Sequence, residues 1–409
     1  MKKQLTGPFA QLLTMSDLPE RGALKDEQLA IISNAGILST DGRVVEVGDF
    51  ENLRTNHAGN DLHVQEISVP MVAMPGFVDA HTHLLYGGSR ARDFALRNAG
   101  SSYLEIAEAG GGIKDSVRAT RAASDEELIT STLTRLDALA RLGTTTCEIK
   151  TGYGLSVTEE LRMIKAINEV KRQSRVGVIP TCLAAHVVPP GYQGSNADYL
   201  TELREKLLAN IIPYTNRIDI FIEESTFPVA VARPYLAAAR SMGFQLAVHA
   251  DQFTTGGSAL AVELGAASAD HLEASGEAEI ALLAQSDTVA VALPGASLGL
   301  GMQFTPARKL LDAGACLAIA SDFNPGSAPM GDLLTQASIL ATYEKLSNAE
   351  VLAGITVRAA RALRKKELGY LAAGTKADFI GFATNDYREI TYQQGRLRPA
   401  KTWIDGTEY

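Results

Sequence analysis

The chain has 409 residues, 46% of them hydrophobic and 21% charged, with a formal net charge of -9. That is ordinary globular composition, and it is long enough for one large domain and a small one, because single cores stop growing near ~250–300 residues. No basic stripe offsets the negative balance, which argues against nucleic acid or an anionic membrane as a partner.

Three cysteines, Cys147, Cys182 and Cys316, are too few and too scattered for a disulfide framework or a Cys-x-x-Cys knuckle. Each lies in an apolar run and reads as a small buried hydrophobe. The start, MKKQLTGPFAQLLTM, places two lysines before a weakly apolar stretch, but Pro8, Gln11 and the lack of a small-residue cleavage site make a poor signal peptide. A cytoplasmic protein is expected.

From about Gln28 to Ala73 short β-like runs alternate with turn signals: AIISNAGILS, DGRVVEVGDF, HVQEISVPMVAM. They have no helix to pack on, and His57 and His63 among them read as exposed. The stretch from about Gly369 to Tyr409 has the same character. Neither end can bury a core alone, so residues 1–74 and 367–409 are expected to complete one small flanking β-sandwich domain together.

Residues 75–366 alternate strand and helix. In PGFVDAHTHLLY, from Pro75 to Tyr86, an apolar run gives way to Asp79 and then to His81 and His83. Alternate side chains of a strand point the same way, so these two imidazoles can share one divalent metal. A Gly-rich loop follows, to about Gly112. The next helix opens on the capping box Ser124 to Glu127 and ends at Gly143, with Leu128, Ile129, Leu133, Leu136 and Leu139 on one face. Strand TTTCEIK ends at Lys150, and a helix opens at Ser156 and Glu159. Later strands run to His186, to Glu223 and Glu224, around His249, and to His271, Pro294 and Asp322. The uncharged window Thr288 to Ala307 is as long as a membrane span, but Pro294, Gly295, Gly299, Gly301 and Pro306 break it into a strand and a loop.

Eight nearly continuous apolar strands separated by helices mean a parallel sheet, and eight such units closing on themselves mean an α/β fold of the (β/α)8 TIM-like barrel type. An open doubly wound sheet would usually carry a Gly-rich phosphate fingerprint after its first strand, where this chain carries histidines. Barrels place chemistry at the C-terminal strand ends. His81, His83, Lys150, His186, Glu223, Glu224, His249, His271 and Asp322 are therefore expected around one mouth, which takes five of the seven histidines. Imidazole and carboxylate ligands suit zinc or iron, and an open position on such an ion acidifies water from ~15.7 to near ~7. A carboxylate can then carry the proton to a leaving nitrogen. These residues point to a metal-assisted hydrolase and leave its substrate open.

With these residues in place, the chain resembles the amidohydrolase superfamily over nearly its whole length. That superfamily has this barrel, a flanking β domain, a His-x-His on strand one, histidines on strands five and six and an aspartate on strand eight. HTHLLYGGSRARDF, EIKTGYGLS, AAHVVPP, VHADQF, SADHLE and ASDFNPGSAP carry a closer resemblance. It is to members that hydrolyse the cyclic amide of 4-imidazolone-5-propanoate to N-formimidoyl-L-glutamate in histidine breakdown. The resemblance implies His81, His83, His249 and Asp322 as ligands of one divalent metal per subunit, Zn or Fe. It places Arg90, Tyr103, Tyr153, His186, Gln252, Asn324, Gly326 and Ser327 around the substrate, and makes His271 an orienting or polarising group.

On that pattern the Arg90 guanidinium would grip the propionate by two parallel hydrogen bonds, with Tyr153 and His186 completing the pocket. Asn324 and the backbone of Gly326 and Ser327 would hold polar ring atoms. The Gln252 amide cannot accept a proton, which leaves Asp322 as general base and acid while His271 polarises the carbonyl. Many superfamily members bridge two metals with a carboxylated lysine on strand four. Here Lys150 ends strand two, so one metal is expected, with Glu223 the remaining candidate for a second site. Another cyclic amidohydrolase or a nucleobase deaminase would share the metal set, whereas an inert barrel would show gaps in it. Family members often form dimers, so a homodimer acting on a small molecule is expected.

Overall fold

The computed structural model describes residues 3–101, 105–106 and 109–409. Five strands come first: β1 (Lys3–Leu13), β2 (Ile31–Thr40), β3 (Arg43–Asp49), β4 (Leu62–Glu66) and β5 (Val72–Pro75). Eight barrel strands follow, β6 (Phe77–Asp79), β7 (Thr144–Lys150), β8 (Gly177–Ala185), β9 (Arg217–Ile220), β10 (Gln245–Ala250), β11 (Ser268–His271), β12 (Val289–Ala292) and β13 (Leu317–Ile319). The chain ends in β14 (Phe379–Phe382), β15 (Pro399–Ile404) and β16 (Thr407–Glu408).

The strands from the two ends form one mixed sheet in the order β16-β15-β14-β5-β1-β2-β3, with β4 also on β1. The long β1 makes this possible: along one edge its first half pairs with β4 and its second half with β5, while along the other it pairs with β2 with a register shift between Thr6 and Phe9. On one face Phe379 and Trp403 stack at 4.6 Å and 18°, and Phe9 meets both edge-on at 6.2 and 6.0 Å. Such aromatic pairs add stability beyond their buried area. The other face is covered by a helix, Phe50–Asn56, which the sequence pattern did not suggest. Asp49 caps it by accepting the Asn52 N–H at 2.9 Å, and Phe50 and Leu53 pack on Leu5 and Leu38. His63 is exposed as expected. His57 is half-buried, with Nε2 2.9 Å from Glu46 Oε2.

Gly76 joins the two sheets. A Cβ there would lie 2.3 Å from the Thr145 side chain, so only glycine lets β6 seat against β7. The eight barrel strands are parallel and neighbour one another in chain order. First and last meet just beyond their ends, where Thr82 bridges Phe323 and His83 N–H donates to the Phe323 carbonyl at 2.9 Å. Helices shield the outside. In helix Asp125–Arg141 the expected capping box is complete: Ser124 Oγ accepts the Glu127 N–H at 3.2 Å, and Glu127 Oε2 accepts the Ser124 N–H at 2.7 Å. Leu128, Leu136 and Leu139 are buried, and Ile129 and Leu133 are half-buried at the edge of that face.

Two stretches expected as loops are partly helical. The segment from Gly87 to Gly112 carries helix Ala91–Asn98, and the next helix, Ile113–Ala122, starts at its end. After β12, residues Pro294–Leu300 form a helix whose first position is the proline, where the missing N–H costs nothing. Among the described residues no helix is long and apolar enough to cross a membrane.

Candidate active site

The segment after β6 is pinned from both sides. Lys150 N–H donates to the Thr82 carbonyl at 2.9 Å, and His83 N–H is held by Phe323. Thr82 therefore points at β7 and its neighbours His81 and His83 turn inward together. Their Nε2 atoms are 3.3 Å apart, and His249 Nε2, on β10, is 3.4 Å from that of His83. Asp322 Oδ1, just past β13, lies 3.5 Å from His81 Nε2 and 3.4 Å from His83 Nε2. His271 closes the ring of imidazoles, its centroid 5.9 Å from His81 and 5.3 Å from His249.

Backbone geometry at two strand ends serves this convergence. Strand alternation would send Asp270 and His271 to opposite faces, yet both reach the site because His271 adopts φ 85°. Asp322 sits at φ 49°, steadied by Ser321, whose N–H and hydroxyl both donate to Asp79. Non-glycine residues are uncommon in this region and cost of order 1–3 kcal/mol there.

Hydrogen bonding fixes which nitrogen faces the centre. Asp270 Oδ2 can only accept, so His81 Nδ1 carries the proton, donates at 2.6 Å and leaves Nε2 as a lone pair. The Asp219 carboxylate, 3.0 Å from His249 Nδ1, sets the same tautomer there. Burial pushes the His83 and His249 imidazoles down to about 3, and His81 well below its ordinary value, so all three are neutral at pH 7.

The Nε2 lone pairs of His81 and His249 therefore both face His83 Nε2, at 3.3 and 3.4 Å, while His83 Nδ1 has no partner among the described residues. Nitrogens ~2.0–2.1 Å from a tetrahedral ion stand ~3.3–3.4 Å apart, so the spacing fits such an ion. Behind the imidazoles, Glu148, Asp219 and Asp270 surround Lys150, and Arg217 reaches Glu148. The His81, His83 and His249 cluster has the donors and spacing of a divalent-metal site, and Asp322 Oδ1 stands beside two of the three.

A cavity of about 510 Å³ opens above it, lined by His83, Arg90, Tyr153, His186, His249, Gln252, His271, Asp322, Asn324, Gly326 and Ser327. Every described residue that the resemblance places at the metal or the substrate thus meets here except His81, which lies deeper; Tyr103 lies outside the described residues. Arg90 Nε donates to Asp93 Oδ2, and Nη1 lies 3.4 Å from Ser116 Oγ. His186 Nδ1 donates to the Gly152 carbonyl at 3.0 Å, so its Nε2 is an acceptor; burial pushes this imidazole down to about 4. Burial also raises the Tyr153 hydroxyl, which stays a neutral phenol. His271 differs from the others. Burial would lower it, but the Glu273 carboxylate, 3.5 Å from Nδ1, outweighs this and raises it. Burial raises Asp322 despite the nearby imidazoles.

Three details depart from expectation. The Gly326 and Ser327 N–H groups both donate to Asn324 Oδ1, at 2.7 and 2.8 Å, so they build the loop and are not free donors. Glu223 faces the loop after β10, accepting from the Phe253 N–H at 2.8 Å and from Thr254, and Glu224 is exposed, so neither stands with the imidazoles. Lys150 ends β7 but its side chain lies inside the barrel, 2.7 Å from Glu148 Oε2 and 2.8 Å from Asp219 Oδ2.

Asp93, Asp219, Asp270 and Glu273, which orient Arg90, His249, His81 and His271, escaped the sequence reading. For Asp219 and Asp270 a signal exists: a carboxylate inside an otherwise apolar strand must be paired.

The amidohydrolase family model matches residues 72–408. Among curated proteins, the imidazolonepropionase of Symbiobacterium thermophilum is 42% identical, with 94% of this chain and 92% of that protein covered. That of Rubrobacter xylanophilus is 43% identical over 90% and 89%, and that of Deinococcus deserti 39% identical over the full length of both. Among solved structures, a triazine hydrolase variant superposes with TM-score 0.78 at 16% identity, covering 99% of this chain and 94% of the other. A zinc-containing adenosine deaminase from Xanthomonas campestris gives 0.72 at 19%, covering 100% and 92%. These two distant likenesses bear on the fold alone.

Proposed function

The chain belongs to the amidohydrolase family, and we propose that it is the hydrolase that opens the cyclic amide of 4-imidazolone-5-propanoate to give N-formimidoyl-L-glutamate. The observation that carries this reading is the four-donor cluster beneath a cavity with a guanidinium on its wall, in a chain 38–43% identical to proteins named imidazolonepropionase. His81, His83, His249 and Asp322 would hold one ion per subunit, Zn or Fe. Bound there, a divalent cation supplies Lewis acidity, polarising a carbonyl and bringing the pKa of water toward ~7.

The residues of the chain do the rest. Asp322 takes a proton from the attacking water, and the water oxygen bonds to the ring carbonyl carbon. His271, its pKa raised by Glu273, donates a hydrogen bond to the carbonyl oxygen as negative charge develops on it. The C–N bond breaks, and Asp322 delivers its proton to the departing nitrogen. One proton of water thus reaches the departing nitrogen, the ring carbonyl carbon becomes a new carboxyl group that releases the second proton as it ionises, and the propionate is unchanged. The acceptor Nε2 of His186 suits a ring N–H rather than the propionate, a refinement of the role expected for it. Arg90 receives the propionate, with Tyr153 and Gln252 beside it. The carboxyamide of Asn324 is spent on its own loop, so it shapes the wall and supports the Ser327 hydroxyl at 2.9 Å.

The same proposal includes a barrel bounded near residues 75 and 366, supported by the change of sheet at Gly76, a cytoplasmic location, supported by three free buried cysteines that suit a reducing compartment, and a homodimer, which rests on the family resemblance alone. Sedimentation equilibrium tests the dimer. The function is tested by following loss of imidazolone absorbance with purified protein, against a panel of cyclic amides and nucleobases. Release of ammonia from a nucleobase without turnover of the imidazolone would replace this reading with a deaminase.

A further inference from the structure

Lys150 is wholly buried at the end of β7, with no path to solvent or to the cavity wall. Its ammonium is 2.8 Å from Asp219 Oδ2 and 3.8 Å from Asp270 Oδ2. These are the same two oxygens that face imidazoles of the cluster: Asp219 Oδ2 lies 3.0 Å from His249 Nδ1, and Asp270 Oδ2 accepts from His81 Nδ1 at 2.6 Å. One cation therefore stands behind two of the three histidines. The Lys150 backbone acts in the same direction, since its N–H holds the Thr82 carbonyl between His81 and His83.

We propose that Lys150 is a positioning residue for the metal centre: seated between Asp219 and Asp270, it fixes the orientation of His249 and His81 and so sets the affinity for the ion. The inference rests on the reading of those histidines as ligands. The physics is electrostatic. Glu148, Asp219 and Asp270 converge on this ammonium in a medium where unscreened charges interact strongly, and the other cation, Arg217, reaches only Glu148, at 3.5 Å. Without the ammonium the carboxylates repel, and each aspartate that moves takes its imidazole off the shared centre. Partners that orient metal-bound histidines are worth ~10–100-fold in metal affinity, and here one side chain governs two of them.

The test measures binding of Co²⁺ by the metal-stripped protein, from the visible ligand-field bands and by competition with a chromophoric chelator. Two variants are compared with the parent, Lys150→Met and the double variant Lys150→Met/Glu148→Gln. The second removes one buried charge of each sign and so protects folding, while still leaving Asp219 and Asp270 without their cation. The expected result is one Co²⁺ per parent chain and binding weaker by about 10–100-fold in both variants, with altered band intensity and a native circular dichroism spectrum. Should Lys150→Met fail to fold, the double variant decides alone. Folded variants that bind Co²⁺ as tightly as the parent, with the same spectrum, would overturn the inference and leave the ligand reading intact. A parent that binds no Co²⁺ would overturn the ligand reading itself and this inference with it.

Discussion

Replacing Arg90 with methionine removes the group proposed to receive the substrate's propionate while keeping most of the side chain's volume. A guanidinium has five N–H donors. In the structure Nε is engaged by Asp93, and the contact of Nη1 with Ser116 Oγ, at 3.4 Å, is long. The end-on fork of Nη1 and Nη2 is left to make two parallel bonds to a carboxylate. Hydrogen bonds to charged groups contribute ~1.5–3 kcal/mol each, so losing two costs ~3–6 kcal/mol, or ~10²–10⁴ in binding at ~1.4 kcal/mol per decade. Because the propionate is remote from the bond that breaks, the loss should fall on KM, with kcat changing much less. Arg90→Lys, a point charge without the fork, should recover about half of the loss on a logarithmic scale. The assay is steady-state hydrolysis of 4-imidazolone-5-propanoate beside the same ring lacking the propionate. The parent should handle the truncated ring about as poorly as Arg90→Met does. If the variant loses as much on the truncated ring as on the whole substrate, Arg90 serves the fold or the chemistry and the carboxylate argument is refuted.

Asp322→Asn keeps a ligand oxygen but removes the proton carrier, so kcat should fall by ~10²–10⁴ or more while Co²⁺ is still bound; substantial turnover by the metal-loaded variant would rule out Asp322 as base and acid. Dialysis against a chelator should abolish activity, restoration should follow Zn or Fe, and the restored ion should raise thermal stability, by ~4 kcal/mol at a free concentration 1,000 times its dissociation constant. An unchanged melting temperature on metal return would count against the cluster as an ion site. Burial pushes the Cys316 thiol up to about 11, Cys182 to about 12 and Cys147 well above its ordinary value, so at pH 8 a thiol reagent should label none of them in the native protein and all three after denaturation. Rapid native labelling of any one would mean that the barrel opens far more readily than its packing implies.

Much of this site could be read from the chain because barrel strands are buried on both faces and therefore spell themselves as apolar runs; a histidine at the end of such a run has few places to go. His81, His83, His186, His249, His271 and Asp322 were found in this way. Partners on other strands were not. Asp219 and Asp270 are single letters inside apolar runs, and nothing local says that one faces β10 and the other β6, because that depends on which strands are neighbours across the barrel. Lys150 was misplaced for a related reason. Strand parity puts it on the side of Glu148, two residues back, but not whether that side is the mouth or the interior. The helices at 91–98 and 294–300 were missed because glycine and proline were weighed only as breakers, although proline at a first helical position favours the helix.

The arrangement also explains why so much charge sits in a barrel that would be more stable filled with aliphatic side chains. Burying ions is costly, and pairing them seldom yields a net gain over apolar packing. Here the pairing does something an apolar core cannot. A neutral imidazole can present either nitrogen, and only a fixed acceptor on the far side selects which one. Asp219 and Asp270 are those acceptors, and buried carboxylates so close together need a cation between them to remain in place. The chain of dependence runs inward from the cavity to His81 and His249, then to the aspartates, then to Lys150 and Glu148, and ends at Arg217. The positive φ at His271 and Asp322 belongs to the same economy, because each trades local backbone comfort for a side chain aimed at the common centre. Chemistry at the mouth of the barrel is therefore set by groups well below it.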